Sequence, residues 1–344
     1  MRSLRNGRYN DAILKEQNQT DVHHNSSTRA LAESLRGILI PFTTPFDEGG
    51  EVDLRGLASN LDKWRAAGAS GFVALGSTGE RVHLTERECL QVIETARSHA
   101  PDSFPLIVGA GQQGTRLTIE EVKRWASAGA SAVLLITPGY YRAEMTQAAL
   151  KGFYREVADA SRVPVVLYNI PQLTGITLAP ETVAELAGHE NIIGIKDSSG
   201  DMVALGETLR LVPEGFSVLT GHGSALMAAL SIGAAGAILA VGCFAPHACV
   251  ELYRAVHAGD YERARSLQRR LALLVKGVMS RYGIGGIKAA MSELGLEGGW
   301  VRPPLSMPAD GAREEIAGLL KESGLFGEGR REPQRDEGVG AGAK

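Results

Sequence analysis

No stretch of this chain is apolar for long enough to cross a bilayer; its longest apolar runs fall far short of the roughly 18 residues that a spanning helix needs. Cysteine is scarce. The three present, Cys89, Cys243 and Cys249, are too few and too scattered for a disulfide framework, and a reducing, intracellular compartment suits them. Charge of one sign is also missing. The 36 Lys+Arg stand against 39 Asp+Glu, a net of −3, which leaves no broad basic surface for nucleic acid. The opening MRSLRNGRYNDAILKEQNQ lacks the apolar segment of a secretory signal, and Asp11 and Glu16 fit a mitochondrial transit peptide poorly. Without a signal peptide the sequons at Asn18 and Asn25 mean little. These absences predict a cytoplasmic protein with no membrane or nucleic-acid partner.

What is present is a globular composition, 44% hydrophobic and 22% charged over 344 residues, enough for one large domain or two ordinary ones. Residues 1–36 read as a disordered N-terminal extension, and 327–344 (GEGRREPQRDEGVGAGAK) as a disordered tail, because neither has enough apolar surface to offset ordering. Between them a short apolar run, a loop and an amphipathic helix recur eight times. The runs are GILIPFTTPF (37–46), GFVALGSTGE (71–80), PLIVGAGQ (105–112), AVLLITPGYY (132–141), PVVLYNIP (164–171), IIGIKDSSG (192–200), FSVLTGHG (216–223) and GAILAVGCF (236–244). Their starts lie about 20–34 residues apart, the length of one βα unit. Near-continuous Val, Ile and Leu marks strands buried on both faces, as in parallel sheets. Thr85, with Glu88 three residues on, has the form of a capping box. The pattern predicts a (β/α)8 TIM barrel over 37–259, with a C-terminal helical appendage over 260–326.

Such a barrel places chemistry at the C-terminal ends of its strands. Of nine lysines, Lys196 alone falls inside a predicted strand. Period-two alternation sets Gly194, Lys196 and Ser198 on one side and Ile193, Ile195 and Asp197 on the other. With the isoleucines facing the helices, Lys196 points into the barrel, where burial favours the neutral amine that attack on a ketone requires. The alternative is a structural lysine paired with an acid. Tyr168 shares the inward parity on the preceding strand and can relay protons beside an iminium, or can simply be a core aromatic. The turn Gly76–Glu80 can present backbone N–H groups, with the Ser77 and Thr78 hydroxyls, to a carboxylate, or can be a plain strand-to-helix turn.

Four segments, GSTGE, TP-x-YY, YNIP and GIKD, in order and at matching spacing, resemble the dihydrodipicolinate synthase / N-acetylneuraminate lyase family over roughly residues 37–326. The resemblance implies a class I aldolase, with Lys196 as Schiff-base lysine and Tyr168 as proton relay. Ser77 and Thr78 then bind the keto-acid carboxylate, Thr78 also being placed in the catalytic set. Tyr140, also in the catalytic set, reaches into a neighbouring subunit's site. Gly221 and Ile238 join the substrate-binding residues. It further implies pyruvate as substrate, no cofactor or metal, and a homotetramer built as a dimer of dimers. Synthases of this family carry Arg two residues after the YN-x-P proline; here Leu173 stands there. YYRAEMTQAALKGFYREVADASRVPVVLY, KDSSGD and SRYGIGGIKAAM are most similar to 4-hydroxy-2-oxoglutarate aldolases, in which a Ser matching Ser198 contacts the distal carboxylate. Thr78 departs from that group, which often has Asn there. Retro-aldol cleavage of 4-hydroxy-2-oxoglutarate is thus the first expectation. Dihydrodipicolinate synthase or N-acetylneuraminate lyase activity follows, and a barrel that only binds a small acid is the non-enzymatic alternative.

Two further patterns compete. Gly109-Ala-Gly111-Gln-Gln-Gly114 is a literal GxGxxG, but the next strand ends in Thr137-Pro138 without the acidic residue a dinucleotide site wants. Cys243, His247 and Cys249 have ligand chemistry but no fourth partner nearby, and read better as buried cysteines.

Overall fold

The computed structural model describes residues 28–326. Eight parallel strands follow one another in chain order and close into a barrel. They are β1 (Gly37–Pro41), β2 (Gly71–Ala74), β3 (Leu106–Ala110), β4 (Ala132–Ile136), β5 (Val165–Asn169), β6 (Ile192–Asp197), β7 (Ser217–Thr220) and β8 (Gly236–Ile238). Closure comes from the register of β1 with β8, Leu39 opposite Ile238. A helical segment over 28–34, α1, precedes β1. The jacket is formed by α2 (Leu54–Ala66), α3 (Glu86–Ser98), α4 (Thr115–Ser127), α5 (Gln147–Ala160), a single turn α6 (Pro171–Thr174), α7 (Pro180–Leu186), α8 (Met202–Leu211), α9 (Leu226–Ser231) and α10 (Pro246–His257). Beyond them α11 (Tyr261–Leu274) runs through a π-helical turn into α12 (Arg281–Glu293), and α13 (Asp310–Ser323) completes the appendage.

Local chemistry starts these helices where the loops need them to start. Asp53, Thr146, Asp201 and Asp260 each accept backbone N–H groups at a helix N-terminus, and the Thr85/Glu88 capping box is complete at α3. Strand alternation then divides the core in two. Leu39, Val73, Ile107, Leu134, Val166, Tyr168, Leu219 and Ile238 fill the barrel. Ile38, Phe72, Val108, Val133, Leu167, Ile195 and Val218 pack outward against the helices.

Two features depart from the sequence expectation. The irregular N-terminal segment does not extend to residue 36. Helix α1 covers 28–34, its Ala32 and the following Leu35 are buried in the barrel's interior cluster, and Ser217 Oγ donates to the Ala32 carbonyl at 2.7 Å. Residues 1–27 and 327–344 lie outside the described residues. Second, Ile193 does not share the face of Ile195. The β5–β6 register runs Val165↔Ile192 and then Val166↔Gly194. Ile193 is therefore the extra residue of a β-bulge and packs inward. After the bulge Gly194 is needed for space, since a Cβ there would stand 2.5 Å from the Ser217 carbonyl oxygen.

Candidate active site

The register past the bulge sets Tyr168 opposite Lys196 and Asn169 opposite Asp197. Each dipeptide divides its labour. The outward members lock the strands together: Asn169 Nδ2 donates to Asp197 Oδ2 at 2.6 Å, and Ser199 caps the other carboxylate oxygen through its N–H and hydroxyl. The inward members meet inside the barrel. Lys196 is 6% exposed, its Nζ donates to the Tyr168 hydroxyl at 3.4 Å and lies 4.5 Å from that ring's centre.

The acid partner that a structural lysine would require belongs to a different residue. Lys288 Nζ sits 2.6 Å from Glu80 Oε1, both side chains fully buried, whereas the side-chain hydrogen-bond partner of Lys196 among the described residues is Tyr168. An amine held beside a phenol in an otherwise apolar barrel can attack a carbonyl carbon, with the phenol shuttling protons.

Ser198 and Gly221 complete this cluster. A Cβ on Gly221 would fall 2.0 Å from Ser198 Oγ and 2.9 Å from Lys196 Cε, so glycine leaves room for the lysine stem and whatever it carries. Ile238 lies among the interior residues. Ser77 and Thr78 occupy a 3₁₀ turn (Ser77–Gly79) at the end of β2, half-buried, where the leading N–H groups have no partner inside the turn. Two strained residues bracket that turn. Leu75 (φ 54°) and Glu80 (φ 57°) are the non-glycine residues with left-handed backbone among those described. Tyr140 is not drawn into the cluster; it stands 76% exposed, edge-on to Tyr141. Leu173, on α6, is 60% exposed.

The competing motifs have structural occupations. Gly109 gives space to the Leu75 carbonyl, which a Cβ would meet at 2.1 Å. The Gly111 N–H donates to buried Glu121 (2.8 Å), which also pairs with Arg81. Cys243 and Cys249 are buried and their thiols pushed up to about 12 by desolvation, while His247 is exposed; the three do not converge.

Sequence reasoning missed the Glu80–Lys288 pair. Lys288 also donates to the carbonyls of Thr44 (2.7 Å) and Trp300, and burial lowers its pKa against the opposing pull of Glu80. The signal was present: Lys288 is the sole charge in the stretch IGGIKAAM, 284–291.

Fold and site together define a barrel enzyme of the lysine Schiff-base lyase class. The model of the dihydrodipicolinate synthetase family matches residues 34–323, and the chain belongs to that family. It is 35% identical over 295 residues to a 4-hydroxy-tetrahydrodipicolinate synthase of an Exiguobacterium species, covering 86% of this chain and 99% of the relative. It is 36% identical over 293 residues to a synthase of that name from Hyphomonas neptunium, covering 85% and 99%. Among solved structures, a prophage protein of the dihydrodipicolinic acid synthase family from E. coli K12, in complex with pyruvate, superposes with TM-score 0.79 at 32% identity, over 85% of this chain and 99% of that one.

Proposed function

We propose that Lys196 forms an imine with a pyruvate-type 2-oxo acid, and that the enzyme makes or breaks a carbon–carbon bond at the adjacent carbon. The neutral amine attacks C2, water leaves, and the iminium draws electrons from C3. Loss of a C3 proton gives an enamine whose C3 attacks an aldehyde; the reverse path cleaves an aldol. Tyr168 is the proton carrier within reach of the imine nitrogen. The turn carrying Ser77 and Thr78 holds the C1 carboxylate. The observation that carries this reading is the buried Lys196–Tyr168 contact, with no carboxylate paired to the amine among the described residues.

The named relatives support condensation of pyruvate with aspartate semialdehyde, the reaction that the sequence held second, and they lend no support to the 4-hydroxy-2-oxoglutarate branch. One observation favours retro-aldol cleavage of a 2-oxo-4-hydroxy acid as a second reading: Leu173 offers no cation to the aldehyde substrate's carboxylate, while Ser198 lies beside Lys196 and can hydrogen-bond a distal carboxylate. Tyr140, with Tyr141, is proposed to serve a neighbouring subunit of a homotetramer.

Borohydride reduction in the presence of pyruvate tests the common step. It is expected to add one reduced three-carbon acid per chain, mapped to Lys196. Lys196→Arg should abolish labelling, since a guanidinium stays protonated. A label on another lysine, or none, would sink the proposal.

A further inference from the structure

We infer that the buried Glu80–Lys288 pair is a positioning device that holds the strained turn bearing Ser77 and Thr78 in the shape that receives the substrate carboxylate. The inference rests on the reading of that turn given above.

Glu80 closes the turn with a left-handed backbone, which an L-residue with a Cβ adopts only where its surroundings impose it. The surroundings here come from three separate parts of the chain. Lys288, on α12, contacts Glu80 Oε1 at 2.6 Å. The Arg302 N–H, in the loop after α12, donates to Glu80 Oε2 at 3.1 Å, and His83 Nδ1 is 3.3 Å from the same oxygen. A second arm reaches the turn through the loop after β1. Lys288 donates to the Thr44 carbonyl, and the Thr44 hydroxyl donates to the Gly79 carbonyl at 2.8 Å. Lys288 thereby holds Glu80 directly and Gly79 through Thr44, the two residues that follow the hydroxyl pair and close its turn. A pair that served stability alone would have no need of a strained backbone. Burying two charges is costly, and a well-packed apolar pair would hold the core as well or better.

The test measures the pyruvate concentration that half-saturates borohydride labelling of Lys196, in full-length Lys288→Met, in the double variant Glu80→Gln/Lys288→Met, and in Thr44→Val. The double variant removes both charges together, so no lone charge stays buried. Half-saturation is expected to rise at least tenfold in the double variant and severalfold in Thr44→Val, while saturating pyruvate still gives one label per chain. A folded double variant with wild-type half-saturation would overturn the inference. Should neither Lys288 variant fold, an unmoved Thr44→Val equally assigns the pair to stability. Absence of any label in the wild type is a separate result, one that removes the Schiff-base reading itself.

Discussion

Lys196 and Tyr168 were legible because each is a polar residue at inward parity in a strand otherwise filled with aliphatics. Their signal is local, spanning four or five residues. Gly221 is different. The sequence placed it among the binding residues by resemblance, and the reason lies in three-dimensional proximity: its Cα faces Lys196 Cε and Ser198 Oγ. Ser198 can rotate away from a new methyl group, but the lysine stem cannot withdraw without moving the amine. Gly221→Ala is therefore expected to keep the barrel folded and to reduce the rate of imine trapping by at least 100-fold, a loss consistent with a misplacement of about 1 Å at a reacting group. Intact-mass time courses with borohydride and pyruvate would show it, and trapping at the wild-type rate would mean the lysine enters from another side. Lys288 escapes any argument from strand parity because it sits on a helix, where the signal of an inward charge is the small and apolar residues on either side of it.

At the scale of elements, the eight βα units were readable since each repeats the same grammar of apolar run and cap. The bulge in β6 was not, because an inserted residue leaves composition unchanged and shifts only parity. The attachment of the C-terminal segment was equally hidden, since its contacts join residues more than 200 positions apart. Arg302 shows how tight that attachment is: it donates to Gly50 and His83 carbonyls and to both oxygens of Glu88, the residue that completes the cap of α3. The Arg302 hydrogen bonds, aided by those from Thr85 and opposed by desolvation, hold the Glu88 carboxyl down at about 2, below the usual 4.5. A depressed carboxylate pKa stabilises the fold fully above the unfolded value and loses that contribution as pH falls from about 4.5 toward 2. Wild type is expected to exceed Glu88→Gln in stability by up to about 3 kcal/mol near pH 6. The gap should narrow steadily below pH 4.5 in urea titrations. A gap independent of pH would mean that Glu88 acts by shape and not by charge.

For the whole molecule, the aldehyde that the proposed enamine would meet is selected at the mouth of the barrel more than at its floor. In the proposed chemistry the lysine, tyrosine and hydroxyl pair would serve any 2-oxo acid, which leaves the choice of aldehyde to the loops at the barrel mouth. Leu173 sits on one such loop, exposed on α6. The neighbouring loop carries Arg142, whose guanidinium packs against Gly175 and whose Nε donates to the Gly139 carbonyl at 3.3 Å. A carboxylate entering between these loops would meet that exposed guanidinium and no fork aimed from position 173. Condensation of pyruvate with aspartate semialdehyde is therefore expected to proceed in the unmodified protein with weak saturation by the aldehyde. Leu173→Arg should lower the aldehyde's KM about tenfold, the value of one charge-assisted hydrogen bond at a partly solvated site, and Arg142→Gln should raise it further. The assay compares kcat/KM for this pair, for 4-hydroxy-2-oxoglutarate and for N-acetylneuraminate. If the unmodified and Leu173→Arg proteins both fail to condense the semialdehyde while 4-hydroxy-2-oxoglutarate is cleaved, the retro-aldol reading takes its place, with Ser198 as the hydrogen-bond donor to the distal carboxylate.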